Sequence, residues 1–121
     1  MTVTKAYQHE TLLRMDTNTY FLKISGYIGS GKQREFQQTI QFIFNHLPPG
    51  CLSHHLALDV FNPNLYHVIS TWQSKGMLVA FKGSHEYELL KSSLETLGAY
   101  ESAIAGRLTD IDLSEVTKKN F

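Results

Sequence analysis

The sequence predicts an α+β domain, a four-stranded antiparallel sheet with its long helices on one face. Three observations predict it. Hydrophobic spacing reads strand–helix–strand twice in succession, and glycine and proline fall at the breaks between segments. The single tryptophan, Trp72, closes the third strand in Thr71-Trp72-Gln73-Ser74. Two such units in a row bring both long helices to the same side of one sheet.

Each element has its own signal. From Tyr20 to Ile28, Tyr20, Leu22, Ile24 and Ile28 share one face and Lys23 and Ser25 the other, the alternation of a half-buried strand. Gly29-Ser30-Gly31 interrupts it, with Ser30 a candidate cap for the next helix. Lys32 to Leu47 carries Phe36, Ile40, Ile43 and Leu47 at helical spacing, and Pro48-Pro49-Gly50 stops it. Cys51 to Val60 alternates again, with Leu52, His54, Leu56, Leu58 and Val60 together and Cys51, Ser53, His55, Ala57 and Asp59 opposite. Phe61-Asn62-Pro63-Asn64 is a turn, and Leu65 to Trp72 returns as a strand. Pairing Val60 with Tyr66 across this turn sets His54 opposite Trp72.

Ser74 to Phe81 is a short helical piece. Ser84 then caps a second long helix to Leu97, striped by Tyr87, Leu90, Leu94 and Leu97 and stopped by Gly98. Ser102 to Ile111 reads as the last strand, with Ile104 and Leu108 on the helix side and Ala103, Ala105 and Arg107 on the other. Residues 1–19 form an N-terminal extension, 20–111 the domain and 112–121 a polar tail.

Composition excludes several classes of function. Eleven basic residues balance eleven acidic ones, so no basic field exists to draw nucleic acid or an anionic membrane. No apolar stretch reaches the length of a signal peptide or a membrane span. A lone cysteine, Cys51, has no partner within the chain, which fits the cytoplasm. Six histidines invite a metal site, yet His54 and His55 point to opposite faces of a strand, and no His-x-His or His-x-x-x-His spacing occurs. No metal is expected. Gly29-Ser30-Gly31-Lys32 lacks the glycine–lysine spacing of a phosphate loop.

The sheet face away from the helices is assigned Phe21, Tyr27, Cys51, Ala57, Ala103, Ala105 and Ile69. That set is too apolar for a solvated surface and predicts a homodimer with its sheets packed back to back. On the helix-covered face the candidate chemistry is His54, a base of near-neutral pKa able to take a proton from a phenol or hydroquinone. Trp72, Tyr66, Tyr20 and Tyr87 are the candidate pocket walls. The plainer alternative is that His54 hydrogen-bonds a neighbour while the aromatic residues fill the core. Cys51 has no adjacent base and reads as packing.

Gly31-Lys32 at the helix start, Pro49-Gly50-Cys51-Leu52, Trp72-Gln73-Ser74 and Phe81-Lys82-Gly83-Ser84 stand in an order that resembles the antibiotic biosynthesis monooxygenase domain of the dimeric α+β barrel superfamily. The resemblance spans roughly residues 20–111. It implies a ferredoxin-like βαββαβ protomer, a homodimer, and a ligand held between helices and sheet with Trp72 as a wall. The family includes cofactor-independent oxygenases of aromatic polyketides or quinols, and haem-degrading enzymes. The haem-degrading branch relies on an asparagine in the first strand and a histidine on the second long helix. Residues 20–28 contain no asparagine, and the matching helix position is Lys91, so haem degradation is disfavoured. The position where many members carry a histidine early in that helix is Glu86, with His85 directly after Ser84. The expected function is a monooxygenase acting on an aromatic or quinonoid molecule without a cofactor. A non-catalytic small-molecule-binding or regulatory homodimer is the alternative.

Overall fold

In the computed structural model, residues 19–108 are described. The elements run β1 (Tyr20–Ile28), α1 (Gln33–Phe44), β2 (Cys51–Leu58), β3 (Leu65–Trp72), α2 (Lys75–Lys82), α3 (His85–Leu97) and β4 (Gly98–Arg107). The sheet is antiparallel in the order β2-β3-β1-β4, so β2 and β4 are its edges. This is the ferredoxin-like α+β fold that the sequence predicts. Residues 1–18 of the N-terminal extension, residues 109–111 and the C-terminal tail lie outside the described residues.

The core lies between the sheet and the helices. Leu22, Ile24 and Ile28 of β1 meet Phe36, Ile40 and Ile43 of α1, and Leu90 and Leu94 of α3. Burying each of these side chains is worth about 1.5–3 kcal/mol relative to exposure. Gly26 continues the buried face of β1, and a Cβ there would come within 2.7 Å of the Leu94 side chain. A glycine here lets α3 lie close to the central strand.

A serine caps α3 as the sequence suggests, another caps α2, and the cap suggested for α1 is absent. Ser84 Oγ accepts from the Tyr87 N–H and donates to the Phe81 carbonyl, which joins α2 to α3. Ser74 Oγ accepts from the Met77 N–H and starts α2. Ser30 does not cap α1. Gly31 takes a positive φ of 82°, Lys32 occupies the capping position without a side-chain bond, and Gln33 reaches back to accept from the Gly31 N–H.

Two register expectations are overturned. His54 lies opposite Ser70, and Leu58 rather than Val60 pairs with Tyr66. The cause is Asp59, whose carboxylate accepts from the Phe61 and Asn62 N–H groups and turns the chain at the end of β2. A slip of two residues keeps His54 on the helix side but moves it along the strand from Trp72. A bulge at Leu52 then brings Cys51 opposite Trp72, so Cys51 packs toward the core and not on the outer face.

The last strand is also corrected. It begins at Gly98, directly after α3, and a bulge at Glu101 separates the pairs Gly26–Tyr100 and Ser25–Ser102. Ala105 then lies beside Leu22, Ala103 beside Ile24 and Arg107 beside Tyr20, all on the helix face. Ile104 faces outward beside Lys23 and is 49% exposed. Tyr100, beside Gly26, is on the helix side and packs against the core. Of the residues assigned to the outer face, Phe21, Tyr27, Ala57 and Ile69 hold their places, while Cys51, Ala103 and Ala105 do not.

Candidate functional site

The aromatic residues on the helix-covered face form a packed stack. Trp72 ends β3 with no exposed surface, its ring stacked on Phe81 at 4.8 Å, and its Nε1–H donates to Ser70 Oγ at 2.8 Å. Phe81 meets the edge of Tyr87 at 5.6 Å, and Tyr66 meets the edge of Phe36 at 5.4 Å. Burial pushes the Tyr87 phenol above its ordinary pKa, so it remains protonated at neutral pH. Trp72, Tyr66 and Tyr87 therefore sit within the core.

His54 is not among them. It projects from the exposed edge strand β2, where its ring lies on Phe44 at 4.3 Å. Two strand spacings, about 10 Å, separate β2 from β1 and Tyr20. The structure thus brings Tyr20 and Trp72 side by side on neighbouring strands, and His54 lies two strands from Tyr20 and two register positions from Trp72.

Tyr20, of the expected pocket residues, lines an open space. A cleft of about 380 Å³ lies between α2 and the end of the sheet where β1 begins and β4 finishes. Lys75, Leu78, Val79 and Lys82 of α2 form one wall; Tyr20, Ala105, Gly106 and Arg107 form the other. The volume lies at the lower end of the roughly 300–1,000 Å³ usual for small-molecule sites. The cleft exists because Ala105, on the helix-facing side of β4, does not fill the space below the helix. The three cations were missed in the sequence because Arg107 had been assigned to the outer face. The spacing of Lys75 and Lys82, seven residues apart around Leu78 and Val79, was the available signal.

A second polar group lies on the outer face. Ser25 Oγ is 2.7 Å from His67 Nδ1, and His67 Nε2 is 2.8 Å from Asp59 Oδ1. The Asp59 carboxylate accepts a hydrogen bond from the His67 Nε2–H, and in that tautomer Nδ1 accepts from the Ser25 hydroxyl. The His67 hydrogen bond, followed by the Asn62 and Phe61 N–H groups, holds the Asp59 carboxyl below its ordinary value of 3.8. Ser25 is only 2% exposed in the middle of an interior strand, and no described cleft opens at its hydroxyl. The chain of contacts orders the sheet surface and is not arranged for nucleophilic attack. Cys51 is equally unsuited, since burial raises its thiol pKa and its Sγ–H donates to the Ser53 carbonyl.

Among the described residues no three His, Cys, Asp or Glu side chains come together as a metal-binding group. His55 lies opposite Ile69, two places from His67 in register. Lys91, at the position resembling the haem ligand, holds its ammonium 5.5 Å from the Tyr100 ring centre. No described helix is long and apolar enough to cross a membrane.

The fold recurs in solved structures of low sequence identity. A conserved protein from Methanosarcina mazei is similar with a TM-score of 0.66 and 12% identity, over 80% of this chain and 97% of that one. A Caulobacter crescentus protein assigned to antibiotic biosynthesis monooxygenases is similar with a TM-score of 0.65 and 16% identity, over 86% and 99%. SnoaB, a cofactor-independent oxygenase from Streptomyces nogalater solved as a point mutant, is similar with a TM-score of 0.58 and 15% identity, over 78% and 95%. No curated protein sequence matches the chain. The sequence profile of the antibiotic biosynthesis monooxygenase family matches residues 23–92, more than half of the chain, from within β1 into α3. With that match and this fold, the chain belongs to the antibiotic biosynthesis monooxygenase family.

Proposed function

We propose that the protein is a homodimeric, cytoplasmic, cofactor-independent oxygenase that takes an aromatic or quinonoid molecule into the cleft between α2 and the β1–β4 end of the sheet. The observation that carries this reading is the make-up of the cleft. Leu78, Val79 and Ala105 offer apolar surface, Tyr20 a ring and a hydroxyl, and Lys75, Lys82 and Arg107 positive charge. Cations beside a phenol or hydroquinone favour its anion, and such an anion can pass an electron to dioxygen. In the simplest outcome a ring CH2 becomes a carbonyl, its two hydrogens leave with the second oxygen atom as water, and all the electrons come from the substrate. The outer face supports the dimer. Phe21, Tyr27, Ile69 and Ile104 form an apolar surface on the side without helices, suited to a twofold copy of itself.

The non-catalytic reading has its own support. Trp72 is sealed in the core, and no imidazole or carboxylate is among the described residues lining the cleft. Oxygen uptake with a panel of quinols and anthrones separates the two. Catalysis predicts uptake by the wild type, a loss of an order of magnitude or more in Arg107→Gln, and no change in His54→Ala. A protein that binds these compounds in the cleft but consumes no oxygen with any of them is a binding protein. Sedimentation at the mass of a single chain would remove the dimer.

A further inference from the structure

We propose that the cleft selects an anion: a small aromatic acid whose carboxylate is held by Arg107, Lys82 and Lys75 while its ring lies against Tyr20, Leu78 and Val79. The inference rests on the reading of this cleft as the ligand site and adds the chemical class of its ligand.

Charge is the first argument. The chain as a whole is neutral, with eleven basic and eleven acidic residues, yet three of its cations line this one cleft, and among the described residues no Asp or Glu does. The ion pairs among the described residues are Lys32–Glu35 and His67–Asp59, neither of which touches the cleft. Three like charges facing one partly apolar space repel one another, and a bound anion relieves that repulsion.

Geometry is the second. Lys75 and Lys82 stand at the two ends of α2, with Leu78 and Val79 between them. Seven residues of helix separate the ammonium groups' backbones by roughly 10 Å along its axis, so an apolar stretch about the size of a fused ring pair is flanked by charge. Arg107 enters from the opposite wall, in register with Tyr20. A guanidinium presents a planar pair of donors that matches both oxygens of a carboxylate, which a lysine alone does not. Neutral quinones would use the apolar wall and leave all three cations unengaged.

The test is calorimetric titration of the full chain with 2-naphthoate and with its neutral isostere 2-naphthamide, at low and high salt. Naphthoate is expected to bind at least about tenfold more tightly than the amide and to weaken with salt. Arg107→Gln should lose about tenfold in naphthoate affinity, Lys82→Gln several-fold, and Arg107→Lys less than Arg107→Gln. The amide should bind all of these variants alike, and Lys32→Gln, a cation elsewhere on the surface, should bind naphthoate as the wild type does. Equal affinity for acid and amide overturns the anion inference while leaving the cleft as a ligand site. Naphthoate binding unchanged by Arg107→Gln and Lys82→Gln overturns it as well. If neither compound binds, the cleft is not a site for small aromatic molecules and both readings fall.

Discussion

The two edges of the sheet are closed in different ways on their helix-covered side. At β2 the edge carries His54 and Leu56, and Phe44 from the end of α1 lies on the imidazole. At β4 the edge carries Ala103, Ala105 and Arg107, and a short helix, α2, stands over it with a cleft between them. Both edges belong to the same ladder, so strand pairing does not account for the contrast. Side-chain volume does. Over β2 the exposed His54 ring is laid against Phe44, whereas Ala105 leaves room for a cleft at β4. The ionisable residue most noticeable in the sequence, His54, thus lies exposed beside Phe44 at the β2 edge, and the cleft at the other edge is charged by residues that looked ordinary.

Trp72, between the two edges, gives the largest expected effect. Trp72→Ala should lower stability by about 3–5 kcal/mol in chemical denaturation, because it empties a core site stacked on Phe81. A cost below about 1 kcal/mol would place Trp72 in an open site instead and weaken the contrast between a filled interior and an open β4 edge. Gly98→Ala comes next. A new Cβ at Gly98 would run into the Tyr27 carbonyl at the start of β4, and a loss of about 1–3 kcal/mol is expected. Wild-type stability in this variant would mean that β4 can move away from β1, and that the cleft can widen.

A double-mutant cycle on Phe44 and His54 reads the β2 edge directly. A coupling of about 0.5–1.5 kcal/mol is expected for the aromatic contact. Zero coupling would mean that the β2 edge is open in solution too. The smallest effect concerns the turn that sets the β2–β3 register. Asp59 has a depressed pKa in the folded protein, so its contribution is present above the ordinary carboxylate value and is lost as pH falls through the folded value. Asp59→Asn should melt a few degrees below wild type, on the order expected for a surface turn, at about pH 6, and the gap should close by about pH 2. A gap independent of pH would remove charge from the account of this turn.

Much of the fold was legible. β1 and β3 have the bounds read from their alternation, Ser84 caps α3 as its position suggested, and the order of short motifs identified the family. These features depend on local patterns: period-two alternation, helical stripes, and a serine before a helix. Less of the site was legible. Cys51 changed faces because of one bulge, and His54 moved along its strand because Asp59 ends β2 two residues early. In β4 the alternation alone puts Ile104 inward, but the bulge at Glu101 and the pairing with β1 put Ala103 and Ala105 on the helix side and Ile104 on the outer face. Bulges and slips of two residues leave the hydrophobic pattern of a single strand unchanged, so they become visible only once strands are paired.

Local chemistry along the chain thus dictated which segments are strands and helices, and that the helices share one face. That follows because backbone periodicity and capping involve residues a few positions apart. Tertiary packing alone decided that Tyr20 and Arg107 face one cleft with Lys75 and Lys82, and that His54 does not. These residues lie far apart in the chain, and their meeting depends on strand register, on two bulges, and on how much volume each side chain leaves for the helix above it.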